Sequence, residues 1–401
     1  MALTDTLPAA DWMQRPGLDR LADALDTDAD AARYVGGAVR DTLLGLPVSD
    51  IDVATIHPPQ EVVRRLEAAG IKAVPTGIAH GTITAVADGT VVEVTTLRRD
   101  VTTDGRHAEV AFTDDWQADA ARRDFTMNAL YADMRTHALH DYFSGIADLR
   151  AGRVRFIGDP LRRIAEDHLR ILRFFRFLAR FGDAPDTEGL AACIDRANDL
   201  MALSRERIAD ELLKLLVARD AVAVMRLMVQ HGIWKPVLPE IDVAAVERLA
   251  ALASSEVAAG IAPDPTRRLA ALLEPGTAEA VTARLKLSNA QRKRVGIAVA
   301  QDDAQPPRAL GYRLGVESAI DRLLLSGEVN AAASLVDWTR PTLPLSGGAL
   351  VERGLARGPD VARALRTVED RWIAEGFPDA ERTHAIADDV VAQALRATSI
   401  A

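Results

Sequence analysis

The sequence predicts an α+β protein with a mixed first part and an all-helical remainder. Two runs rich in Val, Thr and Ile, residues 81–87 and 90–97, flank an Asp88-Gly89 turn and predict a β-hairpin. Eight of the nine phenylalanines lie between residues 112 and 181. Beyond them the sequence is rich in Ala, Leu and Arg, and strand patterns nearly vanish. The second half is therefore predicted to be helical.

The remaining elements follow from local patterns. Gly36-Gly37 indicates a turn before a helix over residues 38–44, and apolar residues alternating around Asp50 and Asp52 predict a strand. Ser288 and Gln291 have the spacing of a capping box and predict a helix start. Further predictions are a helix at 59–69, a strand at 154–158, one long helix at 161–181, and helix breaks near 235–242, 260–265, 301–307 and 340–348.

Composition excludes several classes of protein. With 401 residues, of which 48% are apolar, the chain can bury two or three domain cores, and disorder throughout is excluded. No apolar run approaches the ~20 residues of a membrane span, and residues 1–11 lack the order of a secretion signal. We therefore expect a soluble, cytoplasmic protein without a membrane partner. The single cysteine, Cys193, cannot form an intrachain disulfide and is expected to be a small buried hydrophobe.

The charge pattern favours a polyanion bound at one place. The net charge of −10 argues against a protein that coats nucleic acid by bulk electrostatics. Residues 150–182, however, carry nine arginines against three acids. A local basic segment in an acidic chain suits a nucleic acid held at one site, although a charge run is more often a solvated helix face.

Asp50 and Asp52 are candidate metal ligands and catalytic residues. One residue separates them, so on a strand both carboxylates point to the same face. Oxygen ligands of this kind suit Mg²⁺, which also binds substrate phosphates. Glu93, between Val92 and Val94, is the best-placed third carboxylate on a neighbouring strand. An isolated Asp-x-Asp pair usually caps or solvates a strand end, so the prediction depends on what surrounds it.

Gly36 and Gly37 strengthen that prediction. Two glycines allow the backbone to approach a phosphate closely, and the helix that follows offers free N–H groups. Neither the Walker loop nor the Gly-x-Gly-x-x-Gly dinucleotide motif is present. The alternative is an ordinary turn.

Several motifs in this order resemble the bacterial class II tRNA nucleotidyltransferases and the related poly(A) polymerases. The likeness covers residues 34–180 and continues weakly in 204–208 and 354–373. The motifs are Val35-Gly36-Gly37-Ala38-Val39-Arg40-Asp41, Leu44-Gly45, Asp50-x-Asp52, Arg122-Arg123-Asp124-Phe125-Thr126-Met127-Asn128-Ala129, Asp159-Pro160-Leu161-Arg162 and Glu166-Asp167-His168-Leu169-Arg170. The resemblance implies a polymerase-β-like nucleotidyltransferase head at 1–155, a helical neck at 156–240, and a helical body and tail at 241–401.

The resemblance also implies roles for single residues. Asp50 and Asp52 would bind two Mg²⁺ ions, with Glu93 as a third acid, and the chemistry would be positioning and charge stabilisation without a nucleophilic side chain. Arg40 would meet triphosphate oxygens beside Gly36 and Gly37. The residues expected to hold the ribose and phosphates are Arg123, Asp124 and Asn128, whereas Arg122 is expected to form a structural ion pair.

Asp167 and Arg170 match the amino-acid template that this family uses for the incoming base. On a helix, residues three apart lie on one face. A carboxylate accepts from an exocyclic amine and a guanidinium donates to a ring nitrogen or carbonyl, which fits cytosine and adenine but not uracil and guanine. The alternative is a helix salt bridge between the two.

The predicted substrates are tRNA, CTP and ATP, and no stable protein partner is implied. Arg173, Arg292 and Lys293 are candidate RNA phosphate contacts, and residues 98–110 resemble a flexible loop found in some family members. His140-Asp141 is expected to be structural. The predicted activity is stepwise addition of C, C and A to the tRNA 3′ end; CC-adding, A-adding and poly(A)-adding enzymes remain alternatives within the family. Outside it, the alternatives are a non-catalytic RNA-binding module and a small-molecule nucleotidyltransferase.

Overall fold

A computed structural model describes residues 6–26, 29–103, 108–300 and 305–400. The chain divides into two compact units, Met1–Pro239 and Glu240–Ala401. The first unit contains every strand that the described residues form, and the second is helical there. This arrangement confirms the predicted α+β class. The three-part division at residues 155 and 240 stays a prediction.

A seven-stranded mixed sheet forms the core of the head. Its strands are β1 (Ala32–Val35), β2 (Ile51–Thr55), β3 (Lys72–Gly77), β4 (Thr82–Ala87), β5 (Thr90–Thr96), β8 (Leu130–Asp133) and β9 (Leu139–Asp141). They lie in the order β3-β4-β5-β2-β1-β8-β9. Only β2 and β5 pair in parallel, and the remaining neighbours are antiparallel. The predicted hairpin is confirmed as β4 and β5.

Some helices of the first unit pack on this sheet, and others pack on one another. The helices of the first unit are α1 (Leu18–Ala24), α2 (Gly37–Leu43), α3 (Pro59–Ala68), α4 (Trp116–Ala121), α5 (Gly145–Arg150), α6 (Pro160–Glu166), α7 (Leu169–Phe181), α8 (Thr187–Asp195), α9 (Arg205–Leu216) and α10 (Ala221–Gln230). β4 alternates between buried and partly buried residues, so one of its faces packs on the helices. The helices predicted at 38–44 and 59–69 are confirmed as α2 and α3 within a residue.

Two predicted elements are wrong. The single helix expected over 161–181 is two helices, α6 and α7, because Asp167 adopts an extended conformation with φ −152° and ψ 108°. Its carboxylate accepts from the Leu169 amide at 3.1 Å and so caps the second helix. The predicted strand at 154–158 is reduced to β10 (Arg153–Val154), paired with β11 (Ala184–Pro185), and an isolated bridge at Phe156.

The segment expected to be a flexible loop at 98–110 contributes two strands. These are β6 (Arg98–Thr103) and β7 (Ala108–Phe112), which pair in an antiparallel two-stranded sheet. Residues 104–107 lie outside the described part of the chain.

Phenylalanines join the end of the head to α7. Phe156 and Phe174 stack with ring centroids 5.6 Å apart, and Phe125 lies 4.9 Å from Phe156 and 5.2 Å from Phe177. All four rings are buried. The local concentration of phenylalanine seen in the sequence is therefore the apolar packing that fixes α7 against the motif at 122–129.

The second unit consists of helices in its described residues. They are α11 (Val243–Ala259), α12 (Pro265–Ala271), α13 (Pro275–Arg284), α14 (Asn289–Val299), α15 (Pro307–Leu314), α16 (Val316–Leu325), α17 (Val329–Ala333), α18 (Gly347–Glu352), α19 (Pro359–Ala374) and α20 (Ala380–Ile400). The break predicted near 235–242 falls between α10 and α11, the one near 260–265 between α11 and α12, and the one near 340–348 between α17 and α18, each within two residues. Residues 301–304 of the break predicted near 301–307 lie outside the described part of the chain. The capping box at Ser288 and Gln291 is confirmed.

Two further predictions concern single features of the chain. Cys193 is buried, and burial raises the pKa of its thiol well above its ordinary value, as expected for a small hydrophobe. In the part of the chain that the structure describes, no helix has both the length and the apolar character that crossing a membrane requires.

Candidate active site

A polar cleft in the first unit collects most of the residues singled out in the sequence. Its volume is about 390 Å³. The lining residues are Gly36, Gly37, Arg40, Asp52, Arg123, Asp124, Asn128, Asp167, Arg170, Arg173 and Phe177. They come from the turn after β1, from α2, from β2, from the segment before β8, and from α7 and the break before it. Residues more than 130 positions apart in the sequence thus meet around one space.

The turn at Gly36 brings backbone to the wall of this cleft. Gly36 has φ +67° and ψ −117°, a conformation that side-chain-bearing residues rarely adopt. Its amide donates to the Leu130 carbonyl at 3.0 Å, which ties the turn to β8. A Cβ atom at this position would lie 3.4 Å from Nη1 of Arg123. Glycine is therefore favoured by the backbone conformation, and a side chain here would lie against the Arg123 guanidinium.

Three carboxylates lie at one end of the central strand pair. Asp52 on β2 is directly opposite Glu93 on the parallel β5, and Asp50 immediately precedes β2. Burial, followed by the negative charges of Glu93 and Asp50, raises the pKa of Asp52 to about 6 against the opposing effect of Arg123. The prediction that a third acid approaches from a neighbouring strand therefore agrees with the register, although Asp50 and Glu93 do not line the cleft itself.

This set of oxygens fits a hard divalent cation. Carboxylates are the ligands that such ions prefer, and a cation would offset the mutual repulsion that raises the pKa of Asp52. In residues 6–26, 29–103, 108–300 and 305–400 no three His, Cys, Asp or Glu side chains already converge as a metal cage. The carboxylates of Asp50, Asp52 and Glu93 instead share an open strand end, where substrate phosphates could complete the coordination.

Asp124 is the centre of a hydrogen-bond network on the opposite wall. It accepts from the Phe125 amide at 2.8 Å, from Nδ2 of Asn128 at 2.9 Å and from Nε of Arg173 at 2.7 Å. Burial alone would raise the pKa of Asp124, but the Arg173 cation and these hydrogen bonds hold it below its ordinary value. Asn128 in turn accepts from Nη1 of Arg40 at 2.6 Å. The network fixes the donors that face the cleft.

Arg123 is held by a second network behind the cleft. It donates to the Tyr131 hydroxyl at 3.3 Å and to Asp119 at 3.2 Å. Burial alone would lower the pKa of Arg123, but Tyr131 and Asp119 raise it, so the side chain stays charged. Arg122 pairs with the same Asp119 at 2.7 Å, which confirms the structural ion pair expected for it.

Asp167 and Arg170 reach the cleft in a different way from the one expected. Asp167 lies in the break between α6 and α7, so the two residues do not share a helical face. They do not pair with each other either: Nη2 of Arg207 donates to Asp167 at 2.8 Å, and Arg170 donates to Glu166 at 2.5 Å. The alternative of a simple salt bridge between them is therefore wrong, and both side chains line the cleft.

Sequence reasoning missed three residues of this region. Phe177 lines the cleft, and the guanidinium carbons of Arg40 and Arg173 lie 5.3 and 5.4 Å from its ring centroid. Its spacing from Arg170 and Arg173 on α7 was a usable signal, because these residues recur on one helical face. Glu166 and Arg207 were named only as parts of motifs; their contacts depend on the break at Asp167 and on α9.

The other predicted positions behave as follows. Arg292 pairs with Glu279, and Lys293 is exposed, with no acidic partner among the described residues. Both belong to the second unit, whereas the cleft belongs to the first. Asp141 accepts from the amides of Gly145 and Ile146, which agrees with a structural role.

Comparisons with known proteins agree with this geometry. Residues 32–155 match the poly A polymerase head domain, and residues 184–245 match the probable RNA and SrmB-binding site of polymerase A. The mitochondrial CCA tRNA nucleotidyltransferase 1 of Mus musculus is 35% identical over 383 residues, covering 90% of this chain and 87% of the relative. A CCA-adding enzyme of Limosilactobacillus fermentum is 31% identical, covering 93% and 94%.

A solved structure is also similar along nearly the whole chain. The Bacillus stearothermophilus CCA-adding enzyme in complex with CTP has a TM-score of 0.73 and 26% sequence identity, covering 96% of this chain and 99% of that one. The full-length identity to the mouse relative and the matched head domain establish the relationship. The chain therefore belongs to the nucleotidyltransferase family of class II CCA-adding enzymes and poly(A) polymerases.

Proposed function

We propose that this protein adds C, C and A stepwise to the 3′ end of tRNA, using CTP and ATP. The observation that carries the proposal is the position of Asp167 and Arg170, which present a carboxylate and a guanidinium to the cleft without pairing with each other. An acceptor beside a donor suits the edge that cytosine and adenine share. The relatives named as CCA-adding support the same activity.

The base would be selected by side chains whose own positions are fixed. Arg170 also donates to the Arg163 carbonyl at 2.8 Å and to the Arg122 carbonyl at 3.3 Å, so its guanidinium is held on several sides. Asp167 is held by the Leu169 amide and by Arg207. Uracil or guanine would place a carbonyl against Asp167 and an N–H against Arg170, leaving buried polar groups unsatisfied.

The sugar and triphosphate would lie towards the glycine turn. Arg40 and Arg123 supply positive charge, Asn128 and Asp124 orient the donors, and Gly36-Gly37 allows close approach. No nucleophilic side chain is needed, because the 3′-hydroxyl of the RNA is the nucleophile.

Family membership implies that catalysis uses a divalent metal, and we propose that the metal is Mg²⁺ held by Asp50 and Asp52. When bound, it would activate the 3′-hydroxyl and neutralise the triphosphate. Glu93, paired with Asp52 in register, would strengthen the negative potential at that strand end. Cytoplasmic location remains a prediction of the sequence and is tested by cell fractionation.

The activity is tested on a set of defined primers. The protein is incubated with Mg²⁺, each labelled nucleotide, and tRNA that ends before CCA, after C, or after CC. We expect CTP incorporation on the first two primers and ATP incorporation on the third. CTP incorporation alone would indicate a CC-adding enzyme, ATP on the third primer alone an A-adding enzyme, and long A tracts a poly(A) polymerase. No incorporation with any primer would refute the proposal.

A further inference from the structure

A second groove, which we call the basic groove, lies next to the cleft in the first unit. Its volume is about 720 Å³. The lining residues are Leu44, Leu46, Pro47, Arg176, Arg180, Phe181, Lys214, Val217, Ala218 and Arg219. Four of them are cations and none is an acid. The groove is formed by the segment after α2, the end of α7, and the end of α9.

Three of the four cations that line the basic groove are exposed, whereas the fourth, Arg176, is 13% exposed and pairs with Glu211. The side chains of Arg180, Lys214 and Arg219 are 46%, 56% and 55% exposed. Their carboxylate partners do not line the groove: they are Asp41 for Arg180, Asp210 for Lys214, and Asp183 and Asp220 for Arg219. The pairs of Lys214 and Arg219 are exposed on both sides, and such ion pairs contribute about 0–1 kcal/mol, whereas Asp41, the partner of Arg180, is only 11% exposed. At Lys214 and Arg219 a phosphate could therefore take the place of the carboxylate partner at little cost.

The floor of the basic groove is apolar. Leu44, Leu46 and Val217 are exposed large hydrophobic residues, and all three converge here. A purely cationic surface would suit any anion, whereas cations beside apolar side chains suit a nucleotide, which combines a phosphate with an aromatic base face. The chemistry of the lining thus favours a polynucleotide over a bare phosphate.

The basic groove is continuous with the cleft through shared elements. Along α7, Arg173 and Phe177 face the cleft, and Arg176 and Arg180 face the groove. Asp41 joins the two, since it accepts from Nε of Arg40 at 2.7 Å and from Nη2 of Arg180 at 3.3 Å.

The groove wall also leads along the chain to the catalytic carboxylates. Pro47 is followed by Val48 and Ser49, whose carbonyls accept from Arg15 at 2.9 and 3.2 Å, and then by Asp50. One wall of the basic groove is therefore a short, tethered segment that ends at the proposed metal site.

From this arrangement we propose that the basic groove binds the nucleotides that precede the reacting 3′ end of the RNA. Lys214 and Arg219 contact their phosphates, and Leu46 and Val217 contact their bases. The inference rests on the proposed function, because it requires a reacting RNA 3′ end at Asp50 and Asp52. It adds a site for the primer that is distinct from the site for the incoming nucleotide.

The test uses charge reversal with a matched control. The double variant Lys214→Glu with Arg219→Glu is compared with a control double variant, Arg20→Glu with Arg64→Glu. The control changes the net charge by the same amount, at exposed cations of the same unit that line neither the cleft nor the basic groove. We expect the KM for tRNA ending before CCA to rise about tenfold or more in the groove variant. The slope of the logarithm of tRNA affinity against the logarithm of salt concentration should decrease in magnitude by one to two. The control should keep the wild-type KM for tRNA.

A cross-link locates the RNA directly. With 4-thiouridine in the last two positions of the truncated tRNA, wild-type protein should cross-link to peptides containing residues 44–47 or 217–219. Unchanged KM and slope in the groove variant, or cross-links only elsewhere, would overturn the inference while wild-type CCA addition stays intact. A rise in the KM for CTP without a rise for tRNA would overturn it too, since it would indicate a second nucleotide site. Inactivity of the wild type would instead refute the proposed function.

Discussion

The two units each contain a cluster of arginines and carboxylates, and the clusters differ in how their charges are paired. In the second unit Glu256 accepts from Arg267 at 2.8 Å, and Asp321 accepts from Arg294 at 2.6 Å and from Arg267 at 3.4 Å. Glu256 and Asp321 are fully buried. Every carboxylate there faces a cation, so the cluster joins α11, α12, α14 and α16 and leaves no charge for a ligand.

The cleft cluster of the first unit is arranged differently. Asp52 faces Glu93 and Asp50, and these like charges add to the burial that raises its pKa. Arg40, Arg170 and Arg173 have protein partners but still line an open space. Residual charge that faces a cavity indicates a ligand, whereas charge that is closed by partners indicates structure. Four predictions test this difference between the two clusters.

Loss of a cleft carboxylate should have the largest effect. Asp50→Ala and Asp52→Ala should each lower nucleotide transfer by on the order of 10³-fold or more, because each removes a charge that we propose holds the metal. Transfer is measured with labelled CTP on tRNA ending before CCA. Asp114→Ala, which removes an exposed carboxylate outside the cleft, serves as the control and should retain activity. Near wild-type transfer in either cleft variant would contradict the assignment.

Loss of a paired carboxylate should act on stability. Glu256→Gln removes the charge to which Arg267 donates, and leaves that buried cation balanced only by Asp321 at 3.4 Å. We expect the free energy of unfolding to fall by about 3–5 kcal/mol. Glu317→Gln, at an exposed member of the same network, should change it by about 0–1 kcal/mol. If urea unfolding shows equal losses of unfolding free energy for the two variants, burial does not determine how much each carboxylate stabilises this cluster.

Asp52→Asn should stabilise the metal-free protein. Because the folded-state pKa of Asp52 is raised from 3.8 to about 6, the folded state holds a proton that the unfolded state loses, and stability falls as pH rises through this window. At pH 7 in EDTA the variant should be more stable by roughly 1–2 kcal/mol, and less so near pH 4. Mg²⁺ should then stabilise the wild type but not the variant. An equal stability difference between variant and wild type at both pH values would contradict the raised pKa of Asp52, which burial and then the charges of Glu93 and Asp50 produce.

Arg292→Ala with Lys293→Ala should have the smallest effect. Arg292 must give up its exposed partner Glu279 to contact a phosphate, whereas Lys293 has no acidic partner among the described residues, so we expect Lys293 to contribute more of the affinity. Affinity for all tRNAs should fall about two- to threefold, and the salt slope should decrease by about one. The measurement is a filter-binding titration at several salt concentrations. A loss that differs between tRNAs would indicate sequence-dependent contacts instead.

The sequence predicted the parts of the site that depend on local pattern. Alternation around Asp50 and Asp52 predicted β2, and the Val-Glu-Val run at Glu93 predicted β5, so their parallel register agrees with the expectation. The glycine turn was predicted from residue type, because few other residues tolerate its backbone.

The sequence failed where distant partners decide the structure. Apolar residues continue at helical spacing across 161–181, and the break at Asp167 follows from a cap and from an ion pair with Arg207, forty positions away. Arg284 and Arg294 lie near the predicted RNA contacts Arg292 and Lys293 in the sequence, yet Arg284 pairs with Glu240 and Arg294 with Asp321. Neither acid is close enough in sequence to be recognised as a partner.

The central claim is that Asp167 and Arg170 select the base in the cleft, and competition between CTP and UTP tests it most directly. On tRNA ending before CCA, wild-type protein should prefer CTP by about 10² to 10⁴. Asp167→Ala removes the acceptor that disfavours the uracil carbonyl, so total activity should fall while UTP incorporation rises relative to CTP. Arg170→Ala should mainly lower CTP incorporation. An unchanged CTP:UTP ratio in Asp167→Ala would contradict the account.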